Sequence, residues 1–269
     1  MNKLERYPQI INTQDLLKFF GLIVITLDHI STYFYYNPIF SVLGNFGAPI
    51  FFFLAGMHQA KRIFWGYLLA GSLVTLLTYL TQGYWFGNIL LSFFIIKTIL
   101  YYFPNLFSKS WSIILCLIPM FIHPFNAFVL GSTFFEFGGF GLSYAFSSFL
   151  RRTHKILGTI SCILSLTGHY VWMHFFNRSS YELNFNYQTF SFDLKDWIDY
   201  WALGVFYAVY LCMLGVYVFF RMQTIQVQNP FLKKIILIFS RFSFELYTLQ
   251  MILFRILAAA LGTYGSFII

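Results

Sequence analysis

Charge is what this 269-residue chain has least of. Asp, Glu, Lys and Arg together make up 10% of it, against about 25% in soluble globular domains. So little charge, with 59% hydrophobic residues and a mean hydropathy of +0.69, excludes an ordinary soluble domain. Cysteine is scarce as well. Cys116, Cys162 and Cys212 lie in separate apolar runs with no paired spacing, which argues against a disulfide framework, a Cys-x-x-Cys redox pair or a cysteine metal site. The sequence also has no Gly-rich phosphate loop and no zincin motif. No linker, low-complexity tract or internal repeat suggests a second domain or an inverted-repeat transporter, so residues 1–269 read as a single membrane domain. The polar segment Met1–Gln14, which contains Pro8, does not have the form of a cleavable signal peptide. The first helix is expected to insert and stay.

What is abundant is aromatic and aliphatic surface. Aromatic residues reach 23%, with 37 Phe and 19 Tyr, as suits lipid-facing helices and interfacial belts. The expected fold is all-α, a polytopic transmembrane helical bundle of about nine spans: roughly 16–36, 39–57, 63–83, 86–103, 111–126, 128–150, 156–176, 198–220 and 235–257. Each is close to the ~20 residues that cross a bilayer's hydrocarbon core. Pro49 and Pro119 interrupt the second and fifth. With the N-terminus cytoplasmic, the even-numbered connections carry Lys61-Arg62, Lys109, Arg151-Arg152-Thr153-His154-Lys155, and Arg221 with Lys233-Lys234. The odd-numbered ones around Asn37-Pro38, Gln82-Gly83 and Pro124-Phe125 carry no Lys or Arg. That asymmetry is the positive-inside pattern. The net charge of +8 therefore speaks of topology, and the short basic loops suit acidic lipid headgroups or an anionic cofactor rather than nucleic acid.

Against this background the adjacent pair Asp28-His29 stands out. It lies about twelve residues into the first span, ~18 Å along it, in the run Leu22-Ile23-Val24-Ile25-Thr26-Leu27-Asp28-His29-Ile30. An ionisable group at that depth is costly and usually functional. Successive helical residues point about 100° apart, so the two side chains cannot address one point from the same face. One arrangement has His29 facing a cavity while Asp28 bonds a neighbouring helix or the second imidazole nitrogen. The other polar residues have structural readings beside functional ones. Asn88 can be a helix cap or an interhelical contact. Glu245, four residues after Arg241, fits an intrahelical ion pair. The glycines at 138, 139 and 141 fit close helix packing. His169 and His174 are poorly spaced to share a metal, and no metal is expected.

Four stretches resemble the TraX family of polytopic bacterial membrane proteins, whose namesake acetylates the N-terminus of a conjugative pilin. They are Lys18-Phe19 through Leu27-Asp28-His29-Ile30 with Gly44-Asn45-Phe46-Gly47-Ala48-Pro49-Ile50-Phe51, then Gly87-Asn88-Ile89-Leu90, then Glu136-Phe137-Gly138-Gly139-Phe140-Gly141 with Arg151-Arg152, and finally Phe244-Glu245-Leu246-Tyr247-Thr248-Leu249-Gln250. The resemblance implies an enzyme of the bacterial inner membrane that transfers acetyl groups from cytoplasmic acetyl-CoA to an acceptor, whether a pilin-like protein, a glycan or a lipid. At Gln250, where a His is expected after the Tyr, this chain has a residue that cannot titrate but can still hydrogen-bond.

Acyl transfer needs a base and donors for a developing oxyanion. His29 is the candidate base and Asp28 its orienting or charge-balancing partner. Asn88, Glu136, Tyr247 and Gln250 are candidates to bind the acceptor or stabilise the oxyanion. Lys61, Arg62, Arg151 and Arg152 are candidates for the CoA phosphates. Two other classes fit the same residues. A proton-coupled transporter would use Asp28, His29 and Glu136 as a relay, and a non-catalytic conjugation or assembly factor would use the 177–200 connection as a surface.

Overall fold

Asn12 sets where the first long helix begins. In the computed structural model its side chain accepts from Asp15 N–H at 3.0 Å, and the Asp15 carboxylate accepts from Asn12 N–H at 3.0 Å. This reciprocal capping box satisfies two donors that a helix start leaves open. The structure describes residues 10–35, 37–58, 62–82, 88–130, 138–172 and 197–262. Among them the chain is mostly helical: α1 (Thr13–Tyr33), α2 (Pro38–Met57), α3 (Trp65–Gln82), α4 (Ile89–Tyr102), α5 (Ile113–Leu130), α6 (Gly138–Thr153), α7 (Lys155–Val171), α8 (Trp197–Phe219), α9 (Pro230–Arg241) and α10 (Ser243–Leu261). Two short strands, β1 (Ile11–Asn12) and β2 (Thr224–Ile225), pair antiparallel with Ile11 opposite Ile225.

The first eight expected spans each overlap a helix, although the sixth, placed at 128–150, starts within α5, which runs to Leu130, and α6 is described only from Gly138. The last overlaps two, because the stretch 235–257 breaks at Phe242. Asn229 caps α9, accepting from Phe231 N–H and Leu232 N–H, with Pro230 in the first turn. This short helix buries Ile236, Leu237 and Ser240 and leaves Phe231 and Leu232 outside. The apolar helix that follows is α10. Pro49 and Pro119 lie inside α2 and α5 without ending them, as apolar helices tolerate when neighbours re-satisfy the freed backbone.

Among the described residues three helices, Thr13–Tyr33, Ile39–Met57 and Ser243–Leu261, are long and apolar enough to cross a membrane. Large apolar side chains also face outward on other helices, among them Leu69 on α3, Phe121 on α5, Ile156 on α7 and Phe219 on α8. Cys116 and Cys162 are buried, as expected of small hydrophobes, whereas Cys212 is exposed among these outward-facing residues.

The core is centred on α2 and α6. Helix α6 is buried along nearly its whole length, from Phe140 to Arg151. Hydroxyls line its contacts: Ser148 donates to Phe53 O at 2.6 Å, and Ser147 lies 2.6 Å from Ser161 Oγ of α7. Small residues of this kind let helices approach closely and bond across the gap. Glycine sets the approach at two places. A Cβ at Gly56 would fall on the backbone carbonyl of Ala145 in α6, and a Cβ at Gly44 would fall inside the Asp28 side chain of α1.

Two substitutions separate close packing from helix propensity. Gly56→Ala is expected to cost ~1–3 kcal/mol by overpacking against fixed backbone. Gly204→Ala, where nothing lies within 4 Å, is expected to gain up to ~1 kcal/mol from helix propensity. Thermal unfolding of the detergent-solubilised protein reads both. Equal shifts of one sign would contradict this account of the α2–α6 contact.

Candidate functional site

The two members of the Asp28-His29 pair go to different neighbours. Asp28 is half-buried against Gly44 of α2. His29 is buried and faces α10, where its ring lies 5.8 Å from that of Tyr247, and it meets the Tyr33 ring edge-on at 6.0 Å. Its Nδ1 is 2.9 Å from the Gln250 amide. The opposite end of that amide is 3.0 Å from Thr26 Oγ1, which is itself 2.8 Å from Leu22 O. The partner on the second imidazole nitrogen is therefore Gln250.

The Thr26 hydroxyl decides how this chain is polarised. It carries one hydrogen, and the Leu22 carbonyl can only accept. With Oε1 toward Thr26, two acceptors compete for that hydrogen. With the Gln250 amide turned about its last bond, the NH2 group donates to Thr26, Thr26 donates to Leu22 O, and Oε1 accepts from His29 Nδ1–H. All three contacts are then hydrogen bonds, so this orientation is the favoured one. The proton is thereby held on Nδ1 and the lone pair stays on Nε2, which makes no hydrogen bond among the described residues. An imidazole in this tautomer is set up to accept a proton from a bound substrate.

The other expected site residues are dispersed. Tyr247 joins His29, as above. Asn88 caps α4, its Oδ1 accepting from Leu90 N–H at 2.8 Å, while its Nδ2 is buried without a partner among the described residues. Arg62 is exposed. Lys61 and Glu136 lie outside the described residues. Arg151 and its neighbour Arg152 have separate surroundings. Arg151 is buried, its Nε donating to Thr159 Oγ1 at 3.0 Å and its Nη2 to Phe220 O at 3.1 Å, so it clamps α6 to the end of α8. Arg152 is exposed, with its guanidinium 5.4 Å from the Phe149 ring.

Two cations near Arg152 were not singled out in the sequence. Lys97, alone in the apolar run of α4, donates from Nζ to Ala55 O at 2.6 Å and His58 O at 3.1 Å. It thereby caps the C-terminus of α2. Lys18 of α1 and Arg152 act electrostatically on the same His58. Partial burial, together with Lys97, Lys18 and Arg152, pushes the His58 imidazole below its usual 6.5. The result is a cationic cluster where the start of α1 meets the ends of α2, α4 and α6. Lys18 and Lys97 are lone cations in apolar runs of the sequence, so only the fold brings them to His58 and Arg152.

Comparison with known proteins adds little. A protein of Rickettsia prowazekii (strain Madrid E), described as an uncharacterized protein, RP591, is 25% identical over 182 residues, covering 65% of this chain and 71% of the relative. No protein-family profile matches the chain, and no solved structure matches it.

Two predictions follow from the geometry. Selective 15N-histidine labelling should show His29 protonated at Nδ1 and bare at Nε2, and Gln250→Leu should let the other tautomer appear. An Nε2-protonated imidazole in the native chain would overturn the polarity assigned to Gln250. The second concerns pH. Because the folded pKa of His58 is below the unfolded one, the unfolded chain takes up the proton first. Stability is therefore expected to fall as the pH drops below about 6.5. His58→Gln should flatten that part of the pH–stability profile, and an unchanged slope would remove His58 as its source.

Proposed function

We propose that this chain is a membrane acyltransferase that moves an acetyl group from acetyl-CoA to an amine or hydroxyl acceptor. The observation that carries this reading is His29, a buried imidazole in an apolar helix whose Nδ1 lies 2.9 Å from the Gln250 amide, an arrangement that supports a proton on Nδ1 and a lone pair on Nε2 for a substrate. The resemblance to the TraX family leads to the same reading. Gln250, in place of the expected His, serves it as an orienting hydrogen-bond acceptor rather than as an acid.

The cationic cluster suits the donor. Lys18 and His29 are eleven residues apart on α1, ~16 Å at 1.5 Å per residue. An extended pantetheine arm can span that distance, with the CoA phosphates among Lys18, Lys97, Arg152 and Arg62 and the thioester near His29. The positive-inside pattern supports a cytoplasmic position for this end of the bundle, and at the inner membrane of a bacterium acetyl-CoA would be available there. His29 Nε2 takes the acceptor's proton as the acceptor attacks the thioester carbonyl. The carbon–sulfur bond then breaks, and the departing thiolate takes the proton from the imidazolium. Asp28, directed toward α2, acts by holding α1 in place. The same divergence weighs against a relay that hands a proton from Asp28 to His29.

The test is incubation of purified protein and bacterial membranes with labelled acetyl-CoA. Transfer is expected with the native chain and should fall ~10²–10⁴-fold with His29→Ala, the usual scale of a lost general base. Arg152→Gln should instead raise the KM for acetyl-CoA and leave kcat nearly unchanged. Equal label transfer by the native chain and His29→Ala would overturn the assignment.

A further inference from the structure

One charged group of the bundle interior is unused by this mechanism. Arg255 stands on α10 five residues beyond Gln250, ~7.5 Å farther along the helix. It is only 6% exposed. Its Nη1 donates to Thr78 Oγ1 of α3, and Thr78 in turn donates to Val74 O at 2.8 Å. Its guanidinium carbon lies 5.6 Å from the centroid of the Tyr33 ring, the same ring that meets His29 edge-on. Arg255 is also close enough to act electrostatically on His29. Helices α1, α3 and α10 thus hold a guanidinium one to two turns beyond the imidazole.

The bonding leaves this cation incompletely used. A guanidinium has five N–H donors and is always charged. Thr78 offers a dipole and Tyr33 a π face, but neither supplies a negative charge. Nε is buried and makes no hydrogen bond among the described residues. Burying a cation in this state is expensive, and a planar guanidinium fork fits the two oxygens of a carboxylate or phosphate. Arg151, which joins helices, places Nη2 on the carbonyls of Val218 and Phe220 and leaves only Nη1 without a partner among the described residues, whereas Arg255 meets no carbonyl there.

We propose that Arg255 is an anion-binding residue of the His29 site, and that it receives a carboxylate or phosphate carried by the acceptor. The word acceptor rests on the acyltransferase reading, whereas the anion site does not. The spacing places the anionic group outward of the nucleophile that His29 deprotonates. The acceptor class is therefore a molecule with an acidic group within a few bonds of its amine or hydroxyl.

The test uses the full chain in detergent, with chloride replaced by acetate or by inorganic phosphate at constant ionic strength. A ligand that binds only the folded state raises its unfolding temperature. At least one anion is expected to raise that of the native chain by clearly more than that of Arg255→Met, which corrects for general salting effects. A response to acetate alone assigns a carboxylate, and to phosphate alone a phosphate. A greater gain for the native chain in phosphatidylglycerol than in phosphatidylcholine nanodiscs, absent in the variant, assigns a lipid headgroup as the source. In chloride, Arg255→Met is expected to unfold at or above the native temperature, since it removes an uncompensated buried charge. Arg255→Lys, which keeps the charge and loses the fork, should show a weakened anion response.

Equal anion responses in the native chain and Arg255→Met would overturn the proposal, as would no response in the native chain. A marked loss of stability in Arg255→Met, or its failure to fold, would make Arg255 a structural tie and overturn it too. If the native chain transfers no label from acetyl-CoA, the acyltransferase reading fails while the anion comparison is decided on its own.

Discussion

The close approach of α1 and α2 is the contact on which the rest of the arrangement depends. At Gly44 and Gly47 a β-carbon would overlap Asp28 and Ile25 of the facing helix. Only with no side chain there can α2 sit this near to α1. The same proximity lets α2 reach α6, because Gly56 presses directly on the Ala145 backbone. The seam along α2 therefore tolerates few changes.

This contact also sorts the two ionisable residues of α1. Asp28 faces the tight side, against α2, and His29 faces the looser side, against Tyr247 and Gln250 of α10. A carboxylate and an imidazole adjacent in sequence are thus put to different uses by the 100° step of the helix. The imidazole is then oriented by an uncharged amide. Inside an apolar bundle that choice avoids burying another charge, which would need compensation of its own.

Much of the helical layout was legible from hydropathy alone, since an apolar run of bilayer length has few alternatives to a helix. Legibility failed at 235–257, where hydropathy is nearly continuous across Phe242. There the Asn229 cap and Pro230 start a separate amphipathic helix, and a sliding reading merges two elements. For the site, the Asp28-His29 pair was visible as an energetic anomaly. The partners of His29 were less so: Thr26 is an ordinary helix hydroxyl, and Gln250 looked like a departure from a pattern. Lys18 and Lys97, 79 positions apart by their numbers, form one cluster only when α1 and α4 are both packed on α2. Spacing within one segment carries no information about such meetings.

Asp15 has a role beyond capping. Its carboxylate accepts from Ser240 Oγ and lies 3.6 Å from Arg241 Nε, at the end of α9. Two residues later α10 begins, and it runs alongside α1 as far as Gln250 and beyond. The axial register between α1 and α10 is therefore pinned at one end of the pair, while the imidazole–amide bond it serves lies ~20 Å away along α1. A slip of one residue at that pin would rotate Gln250 by about 100° and carry it away from His29. The cap of the first helix thus acts as an alignment mark, and the tautomer of a buried histidine depends on a carboxylate that never touches it.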